Sequence, residues 1–387
     1  MALSIREPTR NVVQVVPDLD DVEARSAVLQ AAGQLARSGH RSVVVTREAA
    51  RRRDLVAGGL SLMEFPKQRG WLGGDRETAA ALANVLRLRG ADLVHLHGMA
   101  QHAMVAQAAK RAGVPLLIST HGEPAPGTTR PTATVIASSG WLAQRLCERW
   151  GLGTSEVKIV PVGIDLDQFD PERVRGHRVA KVSDGWGLPI GPKVVLLPGP
   201  IAAGRGHVEL LEALGRLPRR DFTILFAGGE VDDDSCLRSI LRVARATGLA
   251  DLIRFGGSVA DRPAMFMVAD LVVLPRDTPD PTGRLSLEAQ AMGRPVIVAD
   301  AGALAETVMP AATGWLVPPG EVGELSWALD LALGLSDEVR FRLAARAREF
   351  VAGEFGAAIA GSRLLALYAR LMGDHSAPED PRLLAAE

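Results

Sequence analysis

From residue 12 to residue 299 the chain repeats one phrase: a short apolar run, an amphipathic stretch, and another short apolar run. In the first half the apolar runs fall at residues 12–16, 42–45, 93–95, 116–120 and 135–137, each too short for an independent helix. Between them, residues 21–38, 77–89, 101–111 and 139–150 carry helical periodicity. Continuous rather than alternating apolar character means that both faces of each strand are covered. That is the signature of a parallel sheet flanked by helices. The pattern breaks over residues 165–192, which are rich in charge, Gly and Pro as an interdomain connection would be.

The alternation then restarts, with strands expected at 194–197, 223–227, 271–274 and 296–299 and helices at 207–214, 235–247, 285–291 and 322–334. The expected fold class is therefore α/β, with two Rossmann-like, doubly wound parallel-sheet domains in tandem and a cleft at the carboxyl ends of their strands. Boundaries are set at 1–180 for the first domain and 181–372 for the second, whose last helix can pack back on the first. Residues 373–387 read as a frayed tail. A length of 387 residues suits two such domains, and a net charge of −1 gives no reason to expect nucleic acid as a partner. Cys147 and Cys236 lack a metal or disulfide context and read as free thiols of a reducing cytoplasm. Neither a signal-peptide core nor a run of about 18 apolar residues is present.

Chemistry concentrates in two loops of the second half. The segment PDPTGRLSLEAQAMGRPVIVAD, residues 279–300, places Asp280 in the exit loop of a strand and Glu288 about one turn into the following helix. The helix start offers N–H groups without intrahelical partners and a partial positive charge, which suit a diphosphate. Glu288 can accept hydrogen bonds from two vicinal ribose hydroxyls, and Asp280 can reach those of a bound sugar. Spacing alone favours a surface Asp and a helix-surface Glu. The second loop, PGPIAAGRGH at 198–207, joins a strand to a helix. Gly199 and Gly206 let the backbone approach an anion, and Arg205 adds a fork of donors, although many such loops are only turns.

Taken together, LVHLHG at 93–98, STHGE at 119–123, VIASS at 135–139, VPVGIDLDQF at 160–169, PGPIAAGRG at 198–206, FAGG at 226–229, EAQAMGRPVIVAD at 288–300 and TGWLVPPG at 313–320 resemble the retaining GT-B glycosyltransferases of family 4. The nearest flavour is that of bacterial lipopolysaccharide-core sugar transferases. The resemblance implies metal-independent transfer of a hexosyl group, with retention, from a UDP-, GDP- or ADP-linked donor to a glycan or lipid-linked acceptor, without a cofactor. It implies a ribose contact for Glu288, a contact with the transferred sugar for Asp280, and donor-holding amides at Thr282, Gly283 and Arg284. Arg205 takes the place of a phosphate-neutralising Lys, His121 approaches the donor sugar and its phosphate, and Glu306 lies near the donor. Asp20, Asp21 and Glu23 fall on the loop that faces the acceptor.

The chain also departs from that pattern. An Arg expected before the Gly-rich turn is Pro200, the first carboxylate is Asp280 rather than Glu, an aromatic residue is Thr282, and an Asn before Gly163 is Val162. A Gly-Gly loop near the amino terminus is replaced by Asp18, Leu19, Asp20 and Asp21. These departures admit an alternative, a catalytically degenerate GT-B protein that binds a glycan, nucleotide or partner. The other aspartate clusters, at 165–167 and 232–234, read as turn and capping residues, and His95 and His97 as satisfied histidines at a strand end. Arg47, Arg51, Arg52 and Arg53, followed by Leu55 and Val56, form a basic patch that suits either a solvated loop or the anionic inner face of the cell membrane.

Overall fold

The computed structural model describes residues 9–17, 22–46, 61–64 and 76–374. Two compact units divide the chain, one formed by Met1–Gly163 with Ala357–Glu387 and the other by Ile164–Gly356.

The first unit is built on seven parallel strands in the order β3-β2-β1-β4-β5-β6-β7. They are β1 (Asn11–Val16), β2 (Arg41–Thr46), β3 (Ser61–Glu64), β4 (Leu93–His97), β5 (Leu116–Thr120), β6 (Thr134–Ala137) and β7 (Val157–Ile159). β1 is central, pairing with β2 on one side and β4 on the other. Its Val12, Val13, Val15 and Val16 are buried, so both faces of the strand are covered, as its non-alternating apolar pattern predicts. The helices Arg76–Leu88 and His102–Ala112 turn Leu82, Leu86, Val105 and Ala108 onto one face of this sheet. On the other face, Leu367 and Tyr368 of the last helix, Ala357–Leu371, join Val12, Leu35 and Leu93.

The second unit repeats the plan with six parallel strands in the order β10-β9-β8-β11-β12-β13. These are β8 (Lys193–Ile201), β9 (Phe222–Val231), β10 (Ile253–Gly257), β11 (Leu271–Leu274), β12 (Val296–Ala299) and β13 (Gly314–Val317). Strand order reverses between β8 and β11, the switch point at which open α/β sheets leave a crevice at the carboxyl ends of the strands. β11 pairs with β8 only at Val195 and Leu196, whereas β9 follows β8 on to Ile201. Beyond Leu196, β8 therefore has an open side toward β11. That is where Pro198 and Pro200, which have no N–H to give a ladder, are tolerated. The sequence-predicted fold class thus stands: α/β, with two Rossmann-like parallel sheets.

The two units meet in sequence at Gly163 and Ile164, upstream of the expected boundary at 180. Ile164 N donates to Phe355 O at 2.7 Å, and Arg178 grips Asp261 with two hydrogen bonds of 2.8 and 2.7 Å. Trp186 Nε1 donates to Gly256 O at 3.1 Å. The polar stretch expected as a connection thus contains a helix, Gly176–Gly185, that buries no side chain and is held by such polar links. The basic patch around Arg47, Arg51, Arg52 and Arg53 lies outside the described residues, as do Asp18 to Asp21 and residues 375–387.

Candidate functional site

Two loops leave the carboxyl ends of β8 and β11 and lock onto each other beside the switch point. Thr278 Oγ1 donates to Gly204 O at 2.8 Å. Gly206, with φ +81°, packs so closely that a side chain there would run into the Pro275 carbonyl. Gly199 also has a left-handed backbone, and the guanidinium of Arg205 lies over it, with Nη1 2.8 Å from where a Gly199 Cβ would stand. Arg205 is half-buried and forms no hydrogen bond or ion pair among the described residues. Its affinity for a proton is lowered, first by burial and then by the charge of Arg276, against the opposing pull of Asp280 and Asp232. His207, at the start of the next helix, is buried with both ring nitrogens unpaired, and burial and Arg205 push its pKa down to about 4. It is neutral at pH 7, so the positive charge of this corner belongs to the arginines.

Asp280 is the knot of the β11 loop. Its Oδ1 accepts the backbone N–H groups of Thr282 at 3.0 Å and Gly283 at 2.9 Å, and its Oδ2 pairs with Arg276. The main chain of Asp280 is held as well, donating to Ala301 O at 3.2 Å and accepting from Ala303 N at 2.6 Å. This differs from the expectation that Thr282, Gly283 and Arg284 turn their amides outward. The short carboxylate folds back and closes a turn with the first two, while Arg284 N leans on Thr282 Oγ1 at 3.4 Å. The first helical bond runs from Leu287 N to Gly283 O, which leaves the N–H groups of Leu285 and Ser286 at the helix start without intrahelical acceptors.

The helix Arg284–Ala291 is buried on nearly all sides, which removes the surface reading of both carboxylates: Glu288 is 1% exposed and Asp280 9%. Glu288 Oε2 pairs with Arg262, and its Oε1 lies 3.9 Å from Arg284 Nη1. Arg262 begins the helix Arg262–Val268, capped by Asp261, and its guanidinium carbon lies 5.9 Å from the centre of the Phe169 ring. Glu306 stands exposed on the 3-10 turn Ala303–Thr307. Thr307 of that turn closes on Gly283 and lies 2.8 Å from Ser286 Oγ.

In the first unit, His121 follows β5 and lines a pocket of about 390 Å³ together with Glu23, Gly98, Met99, Thr120 and Glu123. The structure thus brings Glu23 and His121 to one site, while Asp20 and Asp21 fall outside the described residues. The His121 ring lies parallel to that of His97, 6.5 Å away, and His97 lies 4.0 Å from His95. His95 is bonded through one ring nitrogen to Tyr368 Oη and through the other to Ser119 Oγ, both at 2.6 Å. His97 Nε2 donates to Gln14 Oε1 at 2.9 Å, since the Gln14 amide nitrogen itself donates to Ser42 Oγ. Burial pushes the pKa of His95 down to about 3 and that of His97 well below its usual value.

Residues 181–350 match the family model for glycosyl transferases group 1, and residues 24–185 match that of a glycosyl transferase 4-like domain. Two glycosyl transferase models thus share the chain, the group 1 model taking its second half. A curated relative is the D-inositol 3-phosphate glycosyltransferase of Mycobacterium tuberculosis (strain ATCC 25618 / H37Rv), 29% identical over 403 aligned residues that take in 92% of this chain and 80% of the relative. Among solved structures, a glycosyltransferase from Rickettsia africae ESF-5 matches with a TM-score of 0.86 at 21% identity, covering 95% of this chain and 100% of that one. Anabaena HepE in complex with UDP matches with a TM-score of 0.80 at 20% identity, covering 93% and 100%. The two Rossmann-like sheets are those of the GT-B fold.

Within the residues that match the group 1 model, the β8 and β11 loops bring together Gly199, Arg205, Gly206, Asp280, Thr282, Gly283 and Arg284, with Glu288 one turn further on. Two arginines of the same corner escaped the sequence reading. Arg262 lies 26 residues before the Glu288 it pairs with, and nothing local marks it except the DRP helix start. Arg276 was legible as part of the exit loop, and its spacing of four from Asp280 was the available signal.

Proposed function

We propose that the protein transfers a sugar from a nucleotide-sugar donor to a hydroxyl of a glycan or lipid-linked acceptor, with retention of anomeric configuration and without a metal ion. The observation that carries this reading is Arg205: a half-buried guanidinium bonded to no anion among the described residues, placed at the switch-point crevice beside a helix start. As the sugar leaves, negative charge collects on the nucleoside diphosphate. A fixed guanidinium and the free N–H groups of Leu285 and Ser286 stabilise it without reorganising. Glu288, anchored by Arg262, is assigned the vicinal hydroxyls of the ribose. His121 is assigned the donor sugar and its phosphate, and Glu306 the neighbourhood of the donor. Asp280 enters as the anchor of its loop, since a contact with the sugar would require its carboxylate to leave Arg276 or the two amides.

HepE has been solved with UDP and with UDP-glucose, which puts a uridine donor first among those to try. For the acceptor, the first-unit pocket is lined by Glu23 and Glu123 and, among the described residues, by no Lys or Arg. Glu123 is itself paired with Arg145 at 3.1 Å, so the pocket offers an acceptor hydrogen-bonding groups on a partly balanced charge. D-inositol 3-phosphate, named for the relatives, is the natural comparison compound.

A thermal-shift panel of UDP, GDP, ADP and their sugars tests the donor half of this reading, with Glu288→Ala as the control. A ligand present at about 100 times its dissociation constant stabilises by roughly 2.7 kcal/mol. The expected result is a shift with one nucleotide family that Glu288→Ala loses; no shift with any of them would sink the proposal. A shift without sugar release or transfer would instead identify a protein that binds but does not catalyse. A lipid-linked acceptor would also bring the protein to an anionic membrane, and equal recovery in liposome flotation with and without anionic lipid would remove that part.

A further inference from the structure

We propose that Arg276 is a second cation of the donor diphosphate site, and that Asp280 serves to position it there. The proposal deepens the donor-binding reading above and rests on it. Arg276 leaves β11 on one side of the switch point and Arg205 closes the β8 loop on the other, and Thr278 bonded to Gly204 fixes the two loops together. The Arg276 side chain is 13% exposed and triply held: Nε donates to Thr278 O at 2.9 Å, Nη2 lies 3.3 Å from Thr278 Oγ1, and Nη1 pairs with Asp280. Asp280 cannot swing away with its partner, because its other oxygen is tied to the N–H groups of Thr282 and Gly283. The guanidinium is thereby tethered near Arg205, closely enough that its charge opposes that of Arg205.

Charge decides the assignment. Of the two guanidiniums in the corner only Arg276 is bonded to a carboxylate, that of Asp280, while Asp232 acts on Arg205 without bonding to it and Asp277 lies beside Gly204. Like charges brought together away from water are unfavourable until an anion joins them. A diphosphate brings more than one negative charge and planar sets of oxygens that match the arginine fork. Pro200 stands where the family resemblance leads one to expect an arginine, so the β8 loop offers Arg205 alone. Arg276 restores the second cation from the neighbouring strand. A purely structural Arg276–Asp280 pair would hold the loop, yet it would not distinguish a diphosphate from a nucleoside.

The test is calorimetric binding of UDP, GDP and ADP, and of uridine, guanosine and adenosine, to the full chain and to Arg276→Met, Arg276→Lys and Asp280→Asn. For whichever base binds wild type, Arg276→Met is expected to weaken the diphosphate by about tenfold or more, the scale of a lost hydrogen bond to a charged group. The nucleoside is expected to stay within about twofold of wild type. Arg276→Lys, which keeps the charge and loses the fork, is expected to fall between. Asp280→Asn keeps an oxygen for the two amides but turns an NH2 toward Arg276, so the guanidinium loses its anchor and the diphosphate is expected to bind several-fold more weakly while the nucleoside stays within about twofold of wild type. Equal diphosphate affinity in Arg276→Met overturns the proposal, as does a parallel loss of nucleoside and diphosphate. If Arg276→Met does not fold, Asp280→Asn and Arg276→Lys decide: unchanged diphosphate binding in the first, or parallel losses of nucleoside and diphosphate in either, overturns it. Wild type that binds none of the three diphosphates defeats the donor-binding reading itself, and this inference with it.

Discussion

A methyl group at Gly302 would stand 2.6 Å from the Asp280 backbone nitrogen and would collide with the Asp280 carbonyl oxygen, at a residue whose φ is already +71°. Backbone atoms cannot yield as a flexible side chain can, so Gly302→Ala is expected to destabilise the second unit by about 1–3 kcal/mol and to weaken nucleotide binding, since it unseats Asp280. Gly113 is the control. Its φ is +74°, yet nothing lies within 4 Å of the added atom, so Gly113→Ala should lose only about 1 kcal/mol from backbone strain. Urea midpoints of the two variants give the comparison, and equal losses would refute the close-approach account. The same region shows how far residues could be read from sequence. Glu288 and the loops before it were legible because helix start, Gly and carboxylate are neighbours in the chain. Their burial was not, because it depends on Arg262 and on residues 301–307, which spacing within one motif does not reach.

Elements could be read where burial is symmetrical. β11 and β12 carry unbroken apolar runs, and β1 one interrupted only by the buried Gln14, because helices cover both faces of the sheet. β3, β7, β10 and β13, at the edges, escaped recognition: Ile253–Gly257 alternates buried and exposed, and Val157–Ile159 has only three residues. The helix Gly176–Gly185 was missed for the opposite reason, since it buries no side chain and so has no apolar stripe to detect. What ties the last helix to the first sheet was also invisible, because Tyr368 and His95 lie 273 residues apart. Tyr368→Phe keeps the ring and deletes the hydroxyl, leaving a His95 ring nitrogen buried without its partner. The expected loss is about 1–3 kcal/mol in the first unit, read from its thermal midpoint. An unchanged midpoint would mean that ring packing alone holds the helix.

At the scale of the whole molecule, each unit closes hydrophobic clusters of its own, so scanning calorimetry is expected to resolve two transitions. Tyr368→Phe identifies the transition of the first unit, and a bound nucleotide should raise the other more. Acid should separate them further. His95 binds a proton with a pKa near 6.5 when unfolded and about 3 when folded, and His97 is displaced in the same direction. Below pH 6.5 the unfolded chain therefore holds protons that the native unit excludes. Stability is complete above that pH and is lost as the pH falls toward the folded values, by up to about 1.4 kcal/mol per pH unit for each such histidine. The second unit contains one comparable group, His207, lowered to about 4. Between pH 7 and pH 5 the first transition should fall faster than the second, and His97→Gln, whose amide can still donate to Gln14, should make that fall shallower. Parallel movement of the two transitions, or an unchanged slope in His97→Gln, would show that the buried histidines do not set the acid limit of this protein.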